Sequence, residues 1–244
     1  MEYITSSDFH FKDTAVALGK FEGIHRGHQL LMDEVKKQEL HGLRSVVFTF
    51  DRPTRLTLTG DTEYKQIYTK KERREILEKR GIDILIEHPF TKEFAALTPD
   101  RFIREVLVEK VGAKVIVVGT DFHFGKNRSG SITDLEKLEE ECGYHLIVVE
   151  KLQLNGKDIS STRIRASLEK GAMEEAKALL GRNYSVSGEI LHGNALGRTI
   201  QVPTINQQVP SFKLLPPNGV YVSKIHWKDE AVSYTHLRAH ETDS

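Results

Sequence analysis

Gly19-Lys20-Phe21-Glu22-Gly23-Ile24-His25-Arg26-Gly27-His28 is the stretch from which the rest of the 244-residue chain can be read. A short apolar run, Thr14 to Leu18, precedes it and reads as a strand. Gln29 to Leu40 follows, with Leu30, Leu31, Glu34 and Val35 at helical spacing and Gly42 as the stop. The stretch is therefore a glycine-punctuated turn from a strand into a helix. Such a turn offers backbone N–H groups and the positive end of a helix dipole, which suit a phosphate. His25 and His28 sit where that phosphate would lie, and Gly27 leaves room between them. Histidine can donate to phosphate and carry charge near neutral pH. The glycine spacing fits neither a P-loop nor a dinucleotide fingerprint. On these residues alone two readings stand: a phosphate site, or two surface histidines at a helix start.

Composition narrows the class. Basic and acidic residues number 35 each, so nothing argues for a nucleic-acid or anionic-membrane surface. No apolar run approaches the ~18 residues of a membrane span, and no signal-peptide core opens the chain. The single cysteine, Cys142, excludes an intrachain disulfide and a Cys-based zinc site, and a cytoplasmic protein is expected.

Further along, 44–50 reads as a buried strand closed by Asp51-Arg-Pro-Thr-Arg55. Residues 69–80 read as a charged helix with Thr69 as N-cap, Glu72 in a capping box and Gly81 as stop, its charges a solvated face. Strands are expected at 82–87, 113–118 and 144–149, and helices at 99–111 and 131–142. This alternation predicts an α/β fold with a parallel sheet covered on both faces, its ligands beyond the carboxyl ends of the strands. A second loop, Val118-Gly-Thr-Asp-Phe-His-Phe-Gly-Lys126, lies at one such end; its phenylalanines read either as core or as a pocket wall. A third, Ile159-Ser-Ser-Thr-Arg-Ile-Arg165, reads as a helix start with hydroxyls and arginines, either an anion site or a cap with surface arginines. From Ser185 the pattern changes to antiparallel strands with glycines and prolines, at 186–190 and 219–225.

These three motifs, in this order, resemble the nucleotidylyltransferase superfamily and, more narrowly, the prokaryotic bifunctional riboflavin kinase/FMN adenylyltransferase (FAD synthetase) family. That family reads Gly-x-Phe-Asp-Gly-Val-His-x-Gly-His at the first motif, where this chain has Glu22 for Asp. The resemblance implies a Rossmann-like nucleotidylyltransferase domain over 1–182 that transfers AMP from ATP to FMN, giving FAD and pyrophosphate, with Mg2+. It implies catalytic roles for His25, His28 and Arg165, ATP contacts from Gly19, Lys20, Phe21, Gly27, Asp121, Ser161 and Thr162, and FMN contacts from Pro53 and Phe124.

His192-Gly-Asn-Ala-Leu-Gly-Arg-Thr-Ile-Gln-Val-Pro-Thr-Ile-Asn206 resembles the riboflavin kinase signature, with Gln201 and Val202 in place of Gly-Phe. By that resemblance Gly193, Arg198, Thr204 and Asn206 serve ATP and Mg2+, with Thr204 on the metal. A partial antiparallel β-barrel is expected over 183–231. Residues 232–244 read as a tail outside the family that fits no barrel strand, so the kinase half is expected to be incomplete and inactive. The rival readings are another coenzyme-forming nucleotidylyltransferase, a class I aminoacyl-tRNA synthetase, and a non-catalytic flavin- or nucleotide-binding module.

Overall fold

The structure is a computed structural model and describes residues 1–191, 206–227 and 230–238. Strands and helices alternate from the start. β1 (Glu2–Ile4) and β2 (Thr14–Leu18) precede α1 (Arg26–Lys37). β3 (Arg44–Phe50) leads through the short α2 (Thr54–Thr59) to α3 (Lys70–Lys79). β4 (Ile84–His88) is followed by α4 (Lys92–Ala95) and α5 (Pro99–Arg101), and α5 runs on as a wider π-type helix over Phe102–Lys110. β5 (Ala113–Gly119), α6 (Ile132–Cys142) and β6 (His145–Val149) complete the series.

The six strands make one parallel sheet in the order β1-β4-β3-β2-β5-β6. β2 is buried along its whole length, as its unbroken apolar run requires. Alternate side chains face opposite layers. Val16 and Leu18 join Phe48, Ile86, Ile116 and Leu107 on one side. Ala15 and Ala17 face the other, where Leu31, Met32 and Val35 of α1 pack. Each of those α1 side chains contributes about 1.5–3 kcal/mol by leaving water. The sheet order reverses between β2 and β5, which makes their carboxyl ends the switch point where such sheets bind ligands. The first motif leaves β2 there and the second leaves β5.

Past β6 come a small hairpin of β7 (Gln153–Leu154) and β8 (Lys157–Asp158), then α7 (Ser161–Glu169) and α8 (Met173–Leu180). The remaining pairs are antiparallel: β9 (Glu189–Leu191) with β10 (Asn206–Gln208), and β11 (Val220–Trp227) with β12 (Glu230–Arg238). The molecule is thus a Rossmann-like α/β unit followed by antiparallel strands. No helix among the described residues is long and apolar enough to cross a membrane.

Two sequence expectations are corrected. Residues 232–238 do form a strand, since β12 pairs with β11 from Trp227↔Glu230 to Val220↔Arg238. Val232, Tyr234 and Thr235 are strand formers, and a partner ladder needs no apolar periodicity. The charges of α3 are not all solvated. Arg73 and Arg74 both pair with Glu87, which is fully buried on β4 and also accepts from Tyr3. Glu72 caps α3 through Thr69, as the capping box predicts, but it is only 3% exposed and bonds Lys213 Nζ at 2.6 Å. Of the kinase-signature residues, Asn206 opens β10, and Gly193, Arg198 and Thr204 lie outside the described residues.

Lys213 also donates to Ile67 O at 2.7 Å, and burial holds its pKa down to about 8. On either side of it, Phe212 O accepts from Gln66 N and Leu214 N donates to Gln66 O, so the 212–214 segment is laced to the chain just before α3. Lys213→Met leaves the Glu72 charge buried without its counter-ion, though still accepting from Thr69 N, Ser187 N and Ser187 Oγ, and is expected to cost about 3–5 kcal/mol in urea unfolding. Lys213→Met with Glu72→Gln, which removes the charge and keeps the acceptor for Thr69 N but not the one for Ser187 N, is expected to recover part of that loss.

Candidate active site

The turn after β2 is held in an unusual backbone. Phe21 and Ile24 both take positive φ, 44° and 40°, in the region that favours glycine. For β-branched Ile24 this is strain, of the kind that persists where surrounding bonds over-determine it. The ring of Phe21 is fully buried and meets His28 edge-on at 5.0 Å, so Phe21 supports the histidine and faces no solvent. Gly19 N donates to Phe48 O, and Lys20 O accepts from Thr49 Oγ1, which pins the turn to β3.

His25 is the N-cap of α1: its Nδ1 accepts the His28 N–H at 3.2 Å. That bond requires an unprotonated Nδ1, so the neutral ring carries its hydrogen on Nε2. The two imidazoles stack, centroids 3.6 Å apart and planes 15° from parallel. Gly27 makes this possible, because a Cβ there would sit 3.2 Å from His25 Nδ1. Among the described residues His28 Nδ1 is buried without a hydrogen-bond partner. An orphaned buried nitrogen at a helix start is a feature that asks for a ligand.

Sequence reading lets these histidines carry charge near neutral pH. The structure holds both neutral there. Burial lowers His25 to about 4, the Arg182 guanidinium lowering it further and Asp121 opposing. Burial, then the neighbouring His25 and Arg182, hold His28 well below the ordinary range. An anion beside the pair would favour the charged form.

Glu22 joins the first motif to the third. Its Oε1 pairs with Arg165 Nη2 of α7 and accepts from Ile67 N at 3.4 Å, and its Oε2 accepts from Tyr64 Oη at 2.7 Å. Arg165 also donates to Lys65 O at 2.7 Å and lies over the Tyr64 ring. Arg165 is thus committed to bracing in this state. Ser160, not Ser161 or Thr162, caps α7. Ser161 lies against the turn, its Oγ 3.8 Å from where a Cβ on Gly23 would be, and Thr162 is exposed. The first and third motifs therefore share one place in the fold.

The second motif divides. Asp121 is exposed, pairs with Lys151 at 3.1 Å, and its charge reaches His25. Phe124 is 8% exposed and packs between Phe102 and Phe122, over Gly130, so the core reading of that ring describes it. Pro53 is placed otherwise. It lines a cleft of about 530 Å³, counted to its open mouth, together with Lys20, Glu22, Phe50, Tyr64, Tyr68 and Arg73. Sequence reasoning missed Tyr64, which no motif marks, and Arg182, which donates to Gly23 O at 3.0 Å and Ile24 O at 2.8 Å. Glu22 stood out only as a departure; its extra methylene belongs to a carboxylate with three partners.

Comparison with known proteins agrees with this geometry. The FAD synthetase family is matched over residues 8–163 and the riboflavin kinase family over 180–241, including part of the segment after 231. A bifunctional riboflavin kinase/FMN adenylyltransferase of Buchnera aphidicola is 33% identical over 216 residues, spanning 87% of this chain and 69% of that one. Another, from Listeria monocytogenes, is 34% identical over 236 residues, 96% and 73% of the two chains. A solved structure named as a macrolide-efflux protein from Streptococcus pneumoniae is 30% identical, with TM-score 0.86 over 96% of this chain and 77% of that one. With the histidine stack, the Glu22–Arg165 tie and the switch-point sheet in place, the chain belongs to the bifunctional riboflavin kinase/FMN adenylyltransferase family of FAD biosynthesis.

Proposed function

We propose that residues 1–182 transfer AMP from ATP to FMN, releasing pyrophosphate and forming FAD. The observation that carries this reading is the meeting of the stacked His25–His28 pair with α7 through Glu22 and Arg165. An FMN phosphate oxygen forms a bond to the α-phosphorus while the bond to the leaving pyrophosphate breaks. That phosphate is mostly dianionic at pH 7, so no protein base is needed. Catalysis is then positioning and stabilisation of charge. His25 Nε2–H, the His28 ring and the first amides of α1 donate to phosphate oxygens. Ser161 and Thr162 face them from α7, and Arg165 joins when the anion competes with Glu22. Gly27 supplies room for the phosphates, and Asp121 faces the nucleotide.

Mg2+ in such sites usually keeps water and binds substrate phosphates with one or two carboxylates. Asp121 is the carboxylate whose charge reaches His25. The described residues hold no group of three metal-binding side chains, which suits an ion that travels with ATP. The flavin is assigned to the cleft beside Pro53, Phe50, Tyr64 and Tyr68, which sets aromatic rings next to polar and charged groups. Lys20 supplies a cation to it, while Arg73 in its wall is paired with Glu87.

The family match over 180–241 favours riboflavin phosphorylation as a second activity, with Thr204 and Asn206 toward metal and phosphate. Gln201 and Val202 in its signature weaken that activity, and 183–231 is the part that would carry it.

His28→Ala is expected to lower FAD formation by about 10²–10³-fold, the scale of one lost stabilising donor. Near-normal turnover would count against the assignment. Chromatography with each flavin separates the activities: FAD is expected from FMN, and little FMN from riboflavin. The sign of the His25 shift gives a further outcome. Unfolded His25 takes a proton below about pH 6.5, whereas the folded ring waits until about 4. Stability should therefore fall as pH drops through that window, by about 3 kcal/mol from His25 alone. His25→Asn keeps a capping side chain. Its urea midpoints between pH 7 and 4.5 should fall less steeply than those of the natural chain.

A further inference from the structure

Arg182 stands outside every motif, yet it grips the turn from behind. Nη2 donates to Gly23 O at 3.0 Å, and Nη1 donates to Ile24 O at 2.8 Å and Leu180 O at 3.3 Å. Gln29 Nε2 adds a second donor to Ile24 O at 3.0 Å and bridges to Leu180 O at 2.8 Å. The guanidinium lies over the Tyr68 ring, 5.0 Å from its centroid. These bonds bear on the most strained residue of the turn, Ile24 at φ 40°.

A trans peptide points its C=O and N–H in opposite directions. Fixing the Gly23 and Ile24 carbonyls on Arg182 therefore turns the N–H groups of Ile24 and His25 away from it. Neither N–H bonds to a described residue. Two successive free amides leading into a helix that starts with the His25–His28 stack make an anion-binding concavity.

We infer that Arg182 is a positioning residue for adenylyl transfer, holding the Gly23 and Ile24 carbonyls so that the amides of Ile24 and His25 and the paired imidazoles stay aimed at the triphosphate. The inference rests on the proposed FMN adenylyltransferase activity. It also gives a residue from the riboflavin-kinase-matched stretch, 180–241, a task in the other active site.

The test uses the full chain with Arg182→Met and Arg182→Lys. FAD formation by the natural chain comes first: if it is absent, the activity assignment fails, whatever Arg182 does. Given activity, Arg182→Met should lower kcat by about 10- to 100-fold, the scale of a small misplacement of reacting groups, with the KM for FMN within about twofold. Arg182→Lys, whose ammonium can still reach one carbonyl, should recover part of the loss. A readout independent of turnover is the imidazole NMR titration of His25. Three groups face that ring: His28 from its own helix, Asp121 from the loop after β5, and Arg182. Removing Arg182 leaves Asp121 unopposed, so the His25 pKa should rise. A kcat for Arg182→Met within about twofold of the natural chain overturns the inference. So does a loss of kcat with an unchanged His25 titration and no recovery in Arg182→Lys. If Arg182→Met does not fold, Arg182→Lys decides alone: a severalfold lower kcat at unchanged FMN KM supports the role, and a normal kcat overturns it.

Discussion

One carboxylate holds the parts of this site together. Glu22 sits in the turn after β2 and takes bonds from Tyr64, from the Ile67 amide and from Arg165 of α7. Among the described residues it alone bonds the histidine-bearing turn to both the 61–68 segment and the Ser160-capped helix, which are also joined to each other by Arg165 on Lys65 O. A half-buried ion pair with several donors is worth more than an exposed one, because less solvent screens it and further donors satisfy both carboxylate oxygens. The same network keeps the Arg165 guanidinium occupied, on Glu22 and on Lys65 O.

From Glu22 the bonds continue outward. The segment holding Tyr64 and Lys65 also holds Gln66, which bonds to Phe212 and Leu214. Between those two, Lys213 enters the interior to meet Glu72. Tyr184 Oη bonds to both Ile67 O and Leu214 O. A run of specific polar bonds thus leads from the histidine-bearing turn to the antiparallel part of the chain. The Lys213 and Tyr184 bonds are buried or half-buried, and a buried polar group left without its partner is costly, so these contacts resist being broken one at a time.

The histidines show how burial changes a residue's chemistry. Two exposed imidazoles would titrate near neutrality. Stacked on each other, beneath Phe21 and beside Arg182, both are pushed toward the neutral form. Like charge on a second imidazole 3.6 Å away would oppose protonation of the first. The strain of Ile24 belongs to the same arrangement: the backbone path that brings the rings together is one a β-branched residue resists, and the carbonyl donors hold it there.

Much of this was legible in the chain itself. The parallel sheet followed from apolar runs alternating with helical spacing, since that pattern buries both faces of each strand. The three motifs followed from glycines and hydroxyls at strand ends, because local backbone needs are written locally. What the sequence could not show depends on residues far apart along it. Glu72 reads as an ordinary helix cap until Lys213 arrives 141 positions later. Phe124 reads better as a pocket-wall ring than as core, because glycines flank it, and the structure corrects this: Phe102 packs on it and Gly130 lies under it. Residues 232–238 lack apolar periodicity, and β11 supplies their ladder. Arg182 has no local signature at all. The sequence by itself determined the fold class and where phosphate-binding backbone could form. Only the tertiary structure decided which charges are buried, which imidazoles stay neutral and which arginine stands behind the turn, because desolvation and pairing depend on neighbours brought from distant parts of the chain.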